Sequence, residues 1–102
     1  MKQIIKENID SLKTLCIKYR VESFYLFGSA ASGSFGASSD IDFLVKFKND
    51  IPLLDYSDTY FDLLHSLEKL FKRKIDLVPY TSLKNPYLIS EIEKTKQRIY
   101  EA

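Results

Sequence analysis

The chain has 102 residues, of which 45% are hydrophobic and 28% are charged, so it can bury a core as one folded domain. Its 15 Lys and Arg side chains and 14 Asp and Glu side chains give a formal net charge of +1, which argues against the broad positive surface of a nucleic-acid-binding or membrane-surface protein. We therefore expect a single domain over residues 1–102, with no strong nucleic-acid signal and no membrane partner.

The cysteine content and the first residues indicate the compartment. Cys16 is the only cysteine, so no internal disulfide can form. The first seven residues mix charged and apolar side chains instead of forming the apolar run of a secretory signal. No apolar run reaches the length of a membrane span. These features predict a cytoplasmic protein.

The first part of the chain predicts a helix, a strand and a short helix. Apolar residues from Ile4 to Tyr19 recur at helical spacing, with charged residues between them, which is typical of an amphipathic helix. Val21 to Phe27 is rich in aromatic and branched residues and is followed by Gly28, which predicts a buried strand. The segment from Ser29 to about Gly33 is expected to form a short helix.

The second part alternates strands with longer helices. Apolar residues alternate with polar ones from Asp40 to Lys48, which predicts a strand. A second amphipathic helix should follow the turn at Pro52, a third strand lies at Lys74 to Val78, and Asn85-Pro86 opens a last helix. The residues expected to face inward from the second helix are Leu54, Tyr60, Phe61, Leu64, Leu67, Leu70 and Phe71, and those from the last helix are Leu88, Ile89, Ile92, Ile99 and Tyr100. This alternation predicts an α/β fold with a small mixed or parallel β-sheet flanked by helices.

One polar segment lies between the first two strands and carries the candidate chemistry. Asp40 and Asp42 are two residues apart on a strand, so their carboxylates project from the same face and can hold a hard cation such as Mg²⁺ through oxygen ligands. Gly28 and Ser29 open the segment, where a glycine allows close backbone approach and a following helix N-terminus attracts phosphate. The segment is therefore a candidate nucleotide site.

Asp76 is the third candidate acidic ligand. It lies in an otherwise apolar strand, where a charge is costly unless it is exposed, paired or bound to metal. If this strand lies beside the Asp40 strand, three carboxylates converge, enough for a two-metal site. Taken alone, a Gly-Ser turn, an Asp-x-Asp pair and a strand aspartate each have ordinary explanations as a turn, a cap or a solvated edge, so the hypothesis rests on their combination.

This combination resembles the minimal nucleotidyltransferases, or MNT proteins, of the DNA polymerase β-like superfamily. The resemblance rests on Phe27-Gly28-Ser29, then Gly33, then Ser39-Asp40-Ile41-Asp42, and finally Ile75-Asp76-Leu77-Val78, and it covers nearly the whole chain. It implies the nucleotidyltransferase fold, two Mg²⁺ ions held by Asp40, Asp42 and Asp76, and ATP as substrate. It also implies nucleotide binding by Gly28, Ser29, Gly33 and Ser39.

The family resemblance further implies the biological role. Small MNT proteins are commonly antitoxins paired with a HEPN-domain toxin, so the expected reaction is transfer of AMP from ATP to a tyrosine hydroxyl of such a partner, and an oligomer is possible. Relatives often carry arginine in the Gly-Ser loop, where this chain has Ala30, Ala31 and Ser32. A module that neutralises its partner by contact alone is therefore an alternative, as is an aminoglycoside-type transferase acting on a small molecule.

Two other features have simpler interpretations. His65, the only histidine, lies far in sequence from the carboxylates and is interpreted as a helix-flank residue. The basic residues from Lys69 to Lys74 are interpreted as a solvated helix end, where positive charge is favoured by the helix dipole.

Overall fold

The structure is a computed structural model that describes residues 2–28, 31 and 40–102. The helices are α1 (Gln3–Glu7), α2 (Ile9–Lys18), α3 (Leu53–Phe71) and α4 (Pro86–Thr95), and the strands are β1 (Val21–Phe27), β2 (Ile41–Phe47), β3 (Ile75–Pro79) and β4 (Gln97–Glu101). A 3₁₀ turn at Tyr80–Ser82 follows β3. None of the helices in these described ranges is long and apolar enough to cross a bilayer.

The strands of the described residues form a four-stranded mixed sheet in the order β3-β2-β1-β4. β1 pairs antiparallel with both β2 and β4, whereas β2 and β3 are parallel. The parallel pair is connected through α3, the crossover that parallel strands require. The expected α/β fold with a small mixed sheet flanked by helices is confirmed.

A separate cluster of buried hydrophobic residues packs against each face of the sheet. Alternate residues of β2 from Ile41 to Phe47 enter the larger core, together with residues of α1, α2 and α3. At its centre Phe43 stacks on Phe24 with ring centroids 4.7 Å apart and lies 5.9 Å from the ring of Phe71. A smaller cluster of Phe27, Leu44 and Ile92 occupies the other face, where α4 packs. Asp42 shares this second face because it is two residues from Leu44 on β2.

The last helix begins where the sequence predicts and ends earlier. The Asn85 side chain caps α4 by accepting a hydrogen bond from the backbone N–H of Tyr87 at 2.9 Å, and Pro86 occupies the first turn. The prediction that the helix continues through Ile99 and Tyr100 is wrong. Lys96 has an extended conformation that ends the helix, and the following residues form β4, in which Tyr100 pairs with Phe24. Ile99 is buried as expected, but from a strand.

Two further expectations about the helices need correction. The first helix is divided at Asn8 into α1 and α2. In α3 the inward residues include Leu63 and Leu67, which are fully buried, whereas Leu54 is 92% exposed and Phe61 is 52% exposed. The apolar residues of α3 therefore form two stripes, and only one of them contacts the core.

Candidate active site

The adjacent parallel strands bring two of the predicted acidic residues together. Asp42 on β2 is the register partner of Asp76 on β3, and neighbouring strands lie about 4.8 Å apart. Asp42 is half-buried and Asp76 is exposed. The expected convergence of the two strands is thus confirmed, and it places both side chains at the edge of the α4-covered face.

The electrostatics of Asp42 show how close these carboxyl groups are. The pKa of Asp42 is raised from 3.8 to about 6, first by burial and then, in decreasing order, by the Asp76 charge, a side-chain hydrogen bond with Asp76 and the Asp40 charge. Two neighbouring carboxylates repel each other unless a proton or a cation lies between them. The pair is therefore a site that favours binding of a positive charge.

Gly28 contacts the Asp42 carboxylate directly. It follows β1, where Phe27 is the register partner of Asp42, and its φ of +71° lies in the left-handed region. A Cβ atom on Gly28 would overlap Oδ2 of Asp42. Its carbonyl accepts a hydrogen bond from the Ala31 N–H at 3.1 Å. Both the backbone conformation and the close approach require glycine here.

Asp40 lies just before β2 and faces a lysine. Its Oδ2 is 3.9 Å from Nζ of Lys74, with both side chains largely exposed, and the N–H of Ile41 donates to the Lys74 carbonyl at 3.3 Å. Within the described part of the chain no group of three or more His, Cys, Asp or Glu residues is arranged to hold a metal ion. Asp42 and Asp76 thus lie side by side on adjacent strands, whereas Asp40, just before β2, forms an ion pair with Lys74.

The donor set fits a hard divalent cation. Carboxylate oxygens are the ligands that Mg²⁺ prefers, and Mg²⁺ is usually bound by one or two carboxylates together with water and substrate phosphates. The Asp42–Asp76 pair provides such oxygens. The pKa of Asp42 is raised because no neighbouring positive charge among the described residues offsets its burial and the negative charges of Asp76 and Asp40. The predicted nucleotide-binding residues Ser29, Gly33 and Ser39 lie outside the described residues.

Two features beside the carboxylates were not predicted from the sequence. Lys74 was interpreted only as part of a solvated basic segment, and its pairing with Asp40 depends on the β2–β3 register. A cavity of about 330 Å³ begins at Gly28 and is walled by apolar residues including Phe27, Leu88 and Ile92. A larger cavity of about 530 Å³ lies between α2 and α3, on the face away from Asp42. The Gly28 cavity is the one that adjoins the acidic pair.

The fold and site together define a small α/β domain with an acidic pair at the edge of a mixed sheet, suited to binding a hard cation. The family model described as "Polymerase beta, Nucleotidyltransferase" matches residues 10–102. The chain belongs to this nucleotidyltransferase family, as the sequence motifs predicted.

Sequence relatives in Methanocaldococcus jannaschii support the same assignment. The chain is 39% identical over 95 residues to one named "Putative protein adenylyltransferase MJ1379", a match that covers 92% of this chain and 89% of the relative. A second, with the same description and the designation MJ0126, is 34% identical over 94 residues and has the same coverage. This sequence similarity supports the assignment of the chain as a nucleotidyltransferase.

Solved structures show the same fold. A structure described as a minimal nucleotidyltransferase has a TM-score of 0.72 at 27% identity, with 91% of this chain and 90% of that chain covered. A toxin–antitoxin structure with AMP-PNP also has a TM-score of 0.72, at 21% identity, over 93% of this chain and 74% of that chain. A tri-AMPylated HEPN toxin in complex with an MNT antitoxin, from Shewanella oneidensis, has a TM-score of 0.65 at 18% identity, over 95% and 72%.

Proposed function

We propose that this nucleotidyltransferase transfers AMP from ATP to a tyrosine hydroxyl of a HEPN-domain toxin and so acts as its antitoxin. The observation that supports the proposal is that Asp42 and Asp76 are register partners on adjacent parallel strands, with Gly28 against the Asp42 carboxylate. The names of the archaeal relatives supply the adenylyl group and the protein acceptor. The AMPylated HEPN toxin bound to an MNT antitoxin, a protein of the same fold, suggests the partner.

The reaction exchanges a phosphoanhydride bond of ATP for a phosphodiester bond to the acceptor. The acceptor oxygen forms a bond to the α-phosphorus of ATP, the bond from that phosphorus to the β-phosphate bridging oxygen breaks, and pyrophosphate leaves. The acceptor hydroxyl loses its proton in this step. Asp76 is exposed and lies beside Asp42, so we assign it the role of taking that proton and passing it to water.

The remaining residues position the nucleotide. Asp42 and Asp76, joined by Asp40, would hold two Mg²⁺ ions, which when bound neutralise the triphosphate and the developing charge. Gly28 presents backbone without a side chain beside Asp42, which leaves space for phosphate oxygens next to the carboxylates. Ser29, Gly33 and Ser39 are assigned to the nucleotide by family resemblance.

A second candidate function is neutralisation by contact without transfer. The observation that favours it is the position of Asp40, whose carboxylate is paired with Lys74 and not with the other two aspartates. In addition, Ala31 stands in the loop where relatives often carry arginine. Under this hypothesis the chain binds its partner through its surface, and the acidic residues have no chemical role.

Mass spectrometry distinguishes the two functions. The chain is incubated with ATP, Mg²⁺ and the protein encoded by the adjacent gene, which this proposal expects to be a HEPN-domain toxin, and the intact mass of that protein is measured. We expect addition of AMP by the wild type and loss of the adduct in Asp42→Asn and Asp76→Asn, with the exposed α2 variant Asp10→Asn retaining it. If no adduct forms and Asp42→Asn neutralises the toxin as well as the wild type, the contact-only function is correct.

A further inference from the structure

The first half of α3 presents an apolar stripe on the side away from the core. At about 100° per residue, Leu54 and Phe61 lie on one side of the helix and the buried residues Leu63 and Leu67 on the opposite side. Leu54 is 92% exposed and Phe61 is 52% exposed. Side chains of this size on the outer face of an amphipathic helix do not serve its own core, so they indicate an interaction surface.

This stripe is accompanied by negative charge. Residues 49–68 contain five acidic side chains and no Lys or Arg. Three of the acidic residues, Asp55, Asp58 and Asp62, are exposed on α3 next to the apolar stripe. We call the surface formed by Leu54, Asp55, Asp58, Phe61 and Asp62 the outer face of α3. Its charge disfavours nucleic acid and anionic lipid, both of which are polyanions.

The aromatic residue of the outer face is held in place by its neighbours. The ring of Phe61 makes an edge contact with Tyr60, with centroids 5.1 Å apart. The Tyr60 hydroxyl in turn donates a 2.6 Å hydrogen bond to the Leu77 carbonyl of β3. Phe61 is therefore a restrained aromatic anchor, the kind of side chain that dominates binding at protein interfaces because it loses little entropy on binding.

The outer face is also remote from the acidic pair. β2 begins beside Asp42 and runs toward Phe47, and α3 starts at Leu53 and returns along the sheet to β3. Only the start of α3 at Leu53 therefore lies at the end of the sheet opposite Asp42 and Asp76, because Tyr60 already reaches the middle of β3 through its hydrogen bond to Leu77. α3 packs on the sheet face that carries Phe43, whereas Asp42 projects from the opposite face, so a ligand on the outer face of α3 does not occupy the acidic site.

We propose that the outer face of α3 is the docking surface for the protein that receives AMP, and that it binds a groove on this partner lined by basic and apolar residues. The inference rests on the proposed function for the identity of the partner. A protruding helix face with two apolar anchors fits a groove on a protein surface, and the aspartates complement basic residues at its rim. Because β3 is an edge strand, a partner docked on α3 reaches Asp76 around this edge of the sheet.

The test compares variants of this face with matched variants of α2. Isothermal titration calorimetry measures the affinity for the HEPN-domain partner, with the full-length chain throughout. We expect Leu54→Ser/Phe61→Ser to weaken binding at least about tenfold. Ile17→Ser, which removes an apolar side chain that is 66% exposed on α2, should leave the affinity within about twofold. Thermal unfolding of each variant checks that the fold is retained.

Charge is tested separately. Asp58→Lys/Asp62→Lys should weaken binding by about tenfold at low ionic strength and by less at high ionic strength, because salt screens exposed charges. Asp10→Lys, which changes an exposed residue of α2 in the same way, is the control. In the transfer assay the variants of the outer face should raise the KM for the partner and leave kcat at saturating partner and the affinity for ATP unchanged.

The outcomes separate this inference from the proposed function. If the wild type transfers AMP while all variants of the outer face keep its affinity and KM, the docking surface is wrong and the function stands. If the wild type transfers no AMP but the variants still lose binding, the function is wrong and the docking surface stands. The other molecule that could occupy this surface is a second copy of the chain. Analytical sedimentation of the chain alone tests for it. A wild-type dimer that is lost in Leu54→Ser/Phe61→Ser would show that a second copy binds there and would overturn the inference.

Discussion

Replacing Asp42 by asparagine should stabilise the protein in the absence of divalent metal. The pKa of Asp42 is raised from 3.8 to about 6 in the folded state, so the folded state binds more protons than the unfolded state between these pH values. The contribution of Asp42 to stability is therefore fully present below about pH 4 and is lost as the pH rises through about 6. Asparagine keeps the shape of the side chain and removes the charge that causes this loss.

The expected gain follows from the size of the shift. A difference of about two pKa units corresponds to about 3 kcal/mol, and because Asp42 is only half-buried, solvent screening reduces this to about 1–2 kcal/mol. Urea unfolding followed by circular dichroism at several pH values measures it. Asp42→Asn should be more stable than the wild type by this amount at pH 7.5 and nearly equal to it at pH 4.

Magnesium should reverse the ranking. If Asp42 and Asp76 hold Mg²⁺, the metal stabilises the folded wild type by mass action, by about 2.7 kcal/mol at one hundred times its dissociation constant. Asp42→Asn should gain much less. Asp62→Asn, a change of an exposed aspartate on α3, should show neither the pH-dependent gain nor a loss of the Mg²⁺ response. A gain for Asp42→Asn that is the same at pH 4 and pH 7.5, or a loss of stability at pH 7.5, would refute the reasoning.

Two further predictions concern Gly28 and Cys16. Gly28→Ala should lower the free energy of unfolding by about 1–2 kcal/mol through its positive φ alone, and by more through overlap with the Asp42 carboxylate. In an Asp42→Ala background, Gly28→Ala should cost only the part that comes from its backbone conformation. If urea unfolding shows that the two substitutions have additive effects, Gly28 and the Asp42 carboxylate are not in contact. Burial raises the pKa of the Cys16 thiol to about 12, so iodoacetamide at pH 8 should alkylate it only as the protein unfolds in urea. Rapid labelling of the native protein, read by mass spectrometry, would show that the thiol is accessible.

The acidic pair was predictable because it depends on local patterns and one topological step. Alternation placed Asp42 on the face opposite Phe43, and the strand of Asp76 was visible from its apolar neighbours. The remaining condition was that the two strands be adjacent, which the right-handed crossover through a helix makes common. The catalytic role of these residues stays a prediction that the mass-spectrometric experiment tests.

The errors arose where tertiary contacts outweigh local periodicity. Ile99 follows Ile92 by seven residues, which continues a helical stripe, yet the chain turns at Lys96 and pairs with β1, a partner more than seventy residues away. In α3 the sequence contains two apolar stripes, and only the packing on the sheet shows that Leu63 and not Leu54 is buried. A stripe that could equally well be core or interface cannot be assigned from spacing alone.

The pairing of Asp40 with Lys74 bears on whether the site can hold metal. The two side chains are 3.9 Å apart and are 46% and 77% exposed, and an exposed ion pair of this kind contributes about 0–1 kcal/mol. Little free energy is therefore needed to release Asp40 from Lys74, and a bound cation would offset the repulsion between Asp40 and the Asp42–Asp76 pair. Lys74 would then remain beside the site as an exposed cation, immediately before the β3 strand that carries Asp76. Because this release costs little, the position of Asp40 apart from the other two carboxylates is compatible with the proposed reaction, in which all three hold metal.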